Sequence, residues 1–442
     1  MRIFRDSASA SAPSLSVRTR WALGVAVVLL ATPLVTVGTA SGGLLGGVLC
    51  PVVNTAGNVV SAGWDEGATN PPSTLGEVAD AIGASRLRSR GWDGTGIGVA
   101  SIDTGWVPVQ GLDSPEIVVN GPDLSFETSD PAARYLDTFG HGTHLAGIIA
   151  GDDGASGSFR GIAPGARVVS LKVGSYDGAV DVSQVVAAID WVVQHRNDAG
   201  LNIRVLNLAY GTASVQSYQV DPIAFAVENA WRHGIVTVVA GGNDGTTRNT
   251  LVNPATNPYV LAAGAANLNG STLLNCATVA PFSSRSSSRP VDVIAPGVSI
   301  LSLRNPGSTI DQAHPGAVVD TRFFRGSGTS QASAVLSGAV ALLLQARPTL
   351  TPDQVKAVLT ATASPLALLD RAAQGAGMIN VYAASTATVP SGAAQSWTAA
   401  RGTGSLEEAR GGSHVAMDGV ELVGEMDIMG SPWNGGTWAP LS

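Results

Sequence analysis

The sequence predicts an α/β protein with a mostly parallel central sheet and helices on both faces. Apolar residues make up 45% of the 442 and charged residues only 13%, which supplies a large core and too little charge for a disordered chain. From about residue 81 to residue 388, strand-like runs alternate with segments of helical periodicity, the pattern of a parallel sheet joined by crossover helices. Right-handed crossovers then distribute the helices over both faces.

The elements follow in order. Arg2, Arg5, Arg18 and Arg20 precede an apolar stretch from Trp21 to Gly38 and the small residues Thr39-Ala40-Ser41. Residues 1–40 therefore read as a secretory signal cleaved near Ala40, which implies export. The alternative is an uncleaved, extracytoplasmic membrane anchor, because the stretch approaches the roughly 20 residues that span a bilayer; Pro33 and the small residues after Gly38 favour cleavage. Residues 41–80, rich in Gly, Asn, Ser and Pro, read as a leader or linker. Strands are expected at Ile97–Ile102, Arg167–Val173, Val205–Leu208 and Ile235–Val239. Val182, Val185, Val186, Ile189, Val192 and Val193 recur at the spacing of one buried helix face. Asp221-Pro222 opens a further helix as cap and first residue, and Gly234 closes it. Thr351-Pro352-Asp353-Gln354 is a capping box that starts another. Residues 389–442 shift to Gly, Ser and Trp without periodicity and read as a tail: a mobile extension, or a surface-binding or autoregulatory segment anchored by Trp433 and Trp438.

Composition narrows the partners. The net charge of −8 comes without a basic run, so nucleic acid is not expected. A monomer is expected, touching a membrane only if the N-terminal segment is retained. Two cysteines, Cys50 and Cys276, either pair or stand as separate thiols. His141 and His144 make a His-x-x-His pair, but the helical zinc motif is His-Glu-x-x-His and Gly142 follows His141, so no metal is expected there.

Three residues have settings that suit nucleophilic catalysis. Asp103 ends the run Val99-Ala-Ser-Ile-Asp103, at the carboxyl end of a strand, where open α/β sheets place their sites. His141 stands between Gly140 and Gly142 at a helix entrance, and its ordinary pKa near 6.5 suits a general base. Ser330 begins a helix apolar nearly all round, where free N–H groups and the helix dipole favour developing negative charge. Taken singly, these are equally a turn aspartate, a packed helix histidine and an N-cap serine; His144, one turn further on, reads as a packed helix residue.

In combination the segments Ala100-Ser-Ile-Asp-Thr-Gly105, His141-Gly-Thr-His-Leu-Ala-Gly147 and Gly328-Thr-Ser330 resemble, in that chain order, the signature blocks of subtilisin-like serine proteases, the subtilases. The resemblance covers about 300 residues. It implies a three-layer subtilisin-like fold and a secreted endopeptidase cleaving protein or peptide substrates through an acyl-enzyme, with Asp103, His141 and Ser330 as its triad. Val239-Ala-Gly-Gly-Asn243 resembles the segment whose asparagine donates to the oxyanion, so Asn243 and the Ser330 N–H are the expected donors. Asn207-Leu-Ala-Tyr-Gly211 resembles the strand along which substrate pairs, here through Ala209, Tyr210 and Gly211. Small residues around Ala209 and Ala240, Gly241 and Gly242 would wall an open specificity pocket, and Tyr210, larger than the family's usual aliphatic residue, would narrow a neighbouring subsite. Gly161–Ala166 resembles the turn into a central strand, and Asn253-Pro-Ala255 a loop beyond the site.

Two departures stand out. Gln331-Ala-Ser-Ala-Val335 replaces the family's Met-Ala-x-Pro-His, and the stretch between Ala40 and Ile82, about 40 residues, is short for a folded pro-domain. No cofactor is implied, and the calcium site common in the family has no assignable ligands here; Asp152-Asp153 reads as a loop. A catalytically silent binding relative, or an esterase or acyl transferase using the same triad, remains open.

Overall fold

The computed structural model describes residues 62–65, 71–154, 157–367, 370–417 and 419–439. The expected signal segment and Cys50 lie outside them. Cys276 is disulfide-bonded.

An eight-stranded sheet forms the centre. Across it run Val118–Asp123, Arg167–Lys172, Gly98–Asp103, Ile203–Leu208, Val236–Ala240 and Leu261–Asn267, each parallel to the next. Beside Leu261–Asn267 lie Val293–Pro296, parallel, and the short Thr278–Val279, antiparallel. The middle strands are mostly apolar and are buried along their whole length, because helices cover both faces. This is the α/β architecture that the alternating sequence pattern requires. The observed strands lie within about two residues of the expected ones, as boundaries usually do.

Helix starts follow local chemistry. Asp221 accepts from the Ile223 and Ala224 N–H groups and Pro222 supplies the first helical residue of Pro222–Arg232. A cap of this kind contributes about 1 kcal/mol. The Thr351 capping box opens Pro352–Thr362 as expected, and Asp181 with Gln184 makes a second one at Val182–His195. The helices Val182–His195 and Pro222–Arg232 pack on each other, and so do His141–Ala150 and Thr329–Ala346.

Thr329–Ala346 is buried nearly all round, against the strands Ile203–Leu208, Val236–Ala240 and Leu261–Asn267. Its fully buried Leu336, Val340 and Leu343 each contribute about 1.5–3 kcal/mol by leaving water. Among the described residues it alone is long and apolar enough to span a bilayer, and it is the core helix.

The C-terminal segment is laid down on the domain. Trp433 and Trp438 pack against the main core, with their rings 5.0 Å apart, and the Trp438 ring meets Phe225 edge-on at 5.3 Å. The expectation of a mobile extension does not describe these two residues: Trp438 covers Phe225 of helix Pro222–Arg232 and Trp433 packs beside it, while Trp397 stays exposed.

Candidate active site

Asp103 is the last residue of its strand and is buried. Its Oδ1 accepts from the Thr104 N–H at 2.8 Å and lies 2.8 Å from His141 Nδ1. With Nδ1 donating to the carboxylate, the lone pair of His141 falls on Nε2. His141 opens helix His141–Ala150 with no side-chain cap from Gly140. Gly142 lets helix and strand meet: a Cβ there would lie 2.1 Å from the Gly105 carbonyl oxygen. Any side chain at residue 142 would push the imidazole away from Asp103.

The cap that Gly140 lacks comes from Asp137, a residue the sequence did not single out. Its buried carboxylate accepts from the Gly140 N–H at 2.7 Å, the Thr143 N–H at 2.8 Å and the Thr104 hydroxyl at 2.7 Å. Thr104 Oγ1 in turn accepts from the Gly142 N–H at 2.9 Å. One carboxylate thus ties the helix start to the strand end that carries Asp103. Burial raises the Asp137 pKa, and these hydrogen bonds offset part of that rise. For His141, burial pushes the imidazole pKa down, but the charge and hydrogen bond of Asp103, with the charge of Asp137, outweigh it and hold it above its ordinary value.

His144 is buried, and neither ring nitrogen has a hydrogen-bond partner among the described residues. Burial, with the nearby charge of His141, lowers its pKa to about 3, so it stays neutral. Trp64 meets it edge-on at 5.1 Å, and meets His141 at 6.3 Å and Phe324 at 5.2 Å. That tryptophan belongs to Gly63–Trp64, a two-residue strand antiparallel to Phe323–Ser327, opposite Ser327 and Gly326. Asp65 anchors it by accepting from Ser299 Oγ at 2.8 Å and Ser327 Oγ at 2.7 Å. The Gly- and Asn-rich surroundings of Trp64 gave no sign of this position.

Ser330 is half-buried, second in helix Thr329–Ala346, so its N–H is among the four that a helix start leaves unpaired. Asn243 is exposed, and its Oδ1 accepts from both the N–H and the hydroxyl of Thr329, each at 3.0 Å. Those bonds fix the amide and leave Nδ2 as a donor. The point where a Cβ on Gly328 would stand is 3.6 Å from the Ser330 nitrogen and 3.7 Å from Asn243 Nδ2. The two expected oxyanion donors therefore lie near one spot beside Ser330, with Gln331 Oε1 closer still at 2.7 Å.

The residues expected to bind substrate also come together. Ala209, Tyr210 and Gly211 continue the strand Ile203–Leu208, and Ala240 ends the adjacent Val236–Ala240. Gly211 and Gly242 both close on the Val252 side chain, where added Cβ atoms would sit 2.4 and 2.8 Å from its methyl carbons. Gly241 donates to the Ala263 carbonyl at 2.9 Å, and Gly242 to Thr329 Oγ1 at 3.2 Å, tying this wall to the helix that carries Ser330.

No cluster of three or more His, Cys, Asp or Glu side chains suited to a metal occurs among the described residues. Asp152 and Asp153 pair with Arg160 and Arg322. The arrangement assembles the parts of acyl transfer: an oriented imidazole, a serine at a buried helix start and two flanking donors.

Comparison with known proteins agrees with this geometry. The profile of the Peptidase_S8 subtilase family matches residues 94–396. "Serine protease AprX" of Bacillus subtilis is 35% identical over 295 residues, 65% of either chain. "Subtilisin DY" of Bacillus licheniformis is 33% identical over 305 residues, covering 69% of this chain and 96% of its own. Among solved structures, fervidolysin from Fervidobacterium pennivorans, described as a keratinolytic enzyme related to subtilisin, matches with a TM-score of 0.57 at 29% identity. That match covers 70% of this chain and 45% of fervidolysin.

Proposed function

This chain belongs to the subtilase family, and from that premise we propose that it is a serine endopeptidase acting on protein or peptide substrates. Ser330 is the nucleophile, His141 the general base and Asp103 the carboxylate that orients the imidazole. The observation that carries the reading is the 2.8 Å bond from His141 Nδ1 to a buried Asp103, on a helix packed against the one that carries Ser330 in its first turn.

His141 Nε2 takes the Ser330 hydroxyl proton as Oγ attacks the scissile carbonyl, and Asp103 stabilises the imidazolium that forms. The tetrahedral oxyanion accepts hydrogen bonds from Asn243 Nδ2 and the Ser330 N–H; one such side-chain donor is typically worth about 3–4 kcal/mol in the transition state. Collapse returns the proton from His141 to the leaving amine and leaves an acyl-enzyme, which water hydrolyses by the same steps. Substrate adds as an extended strand along Ala209–Gly211, and its side chain next to the scissile bond enters the space walled by Ala209 and Ala240–Gly242. The basic and apolar N-terminus supports export, so the enzyme would work outside the cytoplasm.

The test compares the full chain with Ser330→Ala in casein cleavage and in labelling by a serine-directed fluorophosphonate. Loss of both in the variant is the expected result. Equal activity in the two proteins overturns the mechanism, and labelling without cleavage moves the activity to an esterase or acyl transferase.

A further inference from the structure

The C-terminal segment lies beyond residues 94–396, which the family profile covers, yet it touches the part of the molecule read as binding substrate. Gly404 donates to the Val220 carbonyl at 2.7 Å and Arg401 to that of Gln219 at 2.8 Å. The Gln216 side chain both accepts from the Ser405 N–H at 2.9 Å and donates to its carbonyl at 2.8 Å. Thr212, directly after Gly211, donates its hydroxyl to the Ala409 carbonyl at 2.6 Å. At Gly411 (φ +60) the backbones are so close that a Cβ would lie 2.4 Å from the Ala213 carbonyl carbon.

Arg410 fixes this contact. It is fully buried at the end of the short helix Leu406–Arg410. Its Nε donates to Asp181 Oδ2 at 2.6 Å, and Nη2 reaches Asp181 Oδ1 at 3.5 Å and the Met426 carbonyl at 2.6 Å. Nη1 donates to Glu407 Oε2 at 3.1 Å and the Gly424 carbonyl at 2.6 Å. All five guanidinium hydrogens are thereby used. Asp181, equally buried, is the cap of helix Val182–His195. Tyr210, in the substrate strand itself, feels both charges: burial raises its pKa, Asp181 adds to the rise and Arg410 opposes it. A solvated tail needs no buried, fully bonded arginine. A tail that must hold a neighbouring loop does.

We propose that the segment from Ala400 to Gly411 is a strap that positions the acyl side of the substrate cleft. Through Arg410 and the Thr212–Ala409 bond it holds residues 209–214 in the shape that pairs with the peptide residues preceding the scissile bond. This rests on the peptidase reading above, with Ala209–Gly211 as the pairing strand, and makes Arg410 a positioning residue.

The test is Arg410→Met in the full chain. For a peptide substrate with four residues on the acyl side, KM should rise about tenfold. An N-blocked single-residue ester, kcat for the peptide and the fluorophosphonate labelling rate should each stay within about twofold of the parent. Amide hydrogen exchange at residues 209–214 should accelerate. Equal KM changes for long and short substrates, a loss of kcat and labelling with KM unmoved, or unchanged exchange at 209–214 each overturns the strap. Should Arg410→Met fail to fold, Thr212→Val removes only the hydroxyl bond and should give the same split at about threefold. If the parent chain neither labels nor cleaves, the peptidase reading falls, and exchange at 209–214 still decides whether the strap exists.

Discussion

Asp137 shows how a residue remote from any bond-making step can set the pH at which a base works. His141 must be neutral to accept a proton, so activity is lost as pH falls through its pKa. Two carboxylates, Asp103 and Asp137, stabilise the imidazolium and raise that pKa, which puts the acidic limb of kcat/KM above the ordinary imidazole value of about 6.5. Asp137→Asn removes one charge. The limb should then move to lower pH, with kcat/KM falling several-fold as the helix start loosens. A pH–rate profile checks this, and an unmoved limb refutes the electrostatic part. Asp103, His141 and Ser330 were legible in the sequence only in combination: each local setting, a strand end, a glycine-flanked helix entrance and a serine before a long apolar helix, is ordinary by itself, and their order and flanking residues carried the resemblance. Asp137 was not, since Asp-Thr-Phe-Gly140 reads as a turn and its acceptor role appears only when Thr104 and Thr143 are brought to it. Asn243, between Gly242 and Asp244, reads by itself as a turn, and only the resemblance of Val239-Ala-Gly-Gly-Asn243 singled it out before Thr329 was seen to fix its amide.

At the scale of elements, the helices with box or proline caps were legible from a few residues, since capping is local chemistry. Leu406–Arg410 was not, although Ser405 caps it by accepting from the Glu408 N–H. Five residues cannot sustain a helix alone, and what holds this one is Asp181, more than two hundred residues away in the chain. The long helix Val182–His195 carries a second polar group whose state depends on the tail. Asp190 accepts from Trp438 Nε1 at 3.2 Å through Oδ2, while its buried Oδ1 has no hydrogen-bond partner among the described residues. Burial raises its pKa to about 6. A carboxyl whose folded pKa exceeds the unfolded one holds the fold best when protonated, and that contribution is lost as pH rises from the unfolded value near 4 through about 6. Asp190→Asn should therefore stabilise the protein by about 1–2 kcal/mol at pH 8, with the difference vanishing toward pH 4. Melting temperatures across that range measure it, and a constant offset would point to packing instead of charge.

For the molecule as a whole, alternation of period-two and helical segments was enough to expect a parallel sheet with helices on both faces, because burial on both faces leaves a strong apolar signature. Composition could not show that the Gly-, Ser- and Trp-rich ends are used. Their contacts are made by isolated residues, Trp64, Arg410, Trp433 and Trp438, each meaningful only against a surface built elsewhere in the chain. The N-terminal strand Gly63–Trp64 has a consequence best put as a competition for one sheet edge. Gly326 and Ser327 lie just ahead of Ser330 and stand opposite Trp64 and Gly63 of the protein's own chain, with the Asp65 N–H donating to the Arg325 carbonyl at 3.2 Å. An attached segment competes at an effective concentration of about a millimolar, so a dilute peptide approaching along that edge is at a disadvantage of roughly a thousandfold at micromolar concentration. Asp65→Ala, which removes the bonds to Ser299 and Ser327 that anchor this strand, should lower KM for long peptides, and an unchanged KM would refute the competition. On this view the enzyme's own first strand sets a threshold: abundant substrate displaces it, and scarce substrate does not.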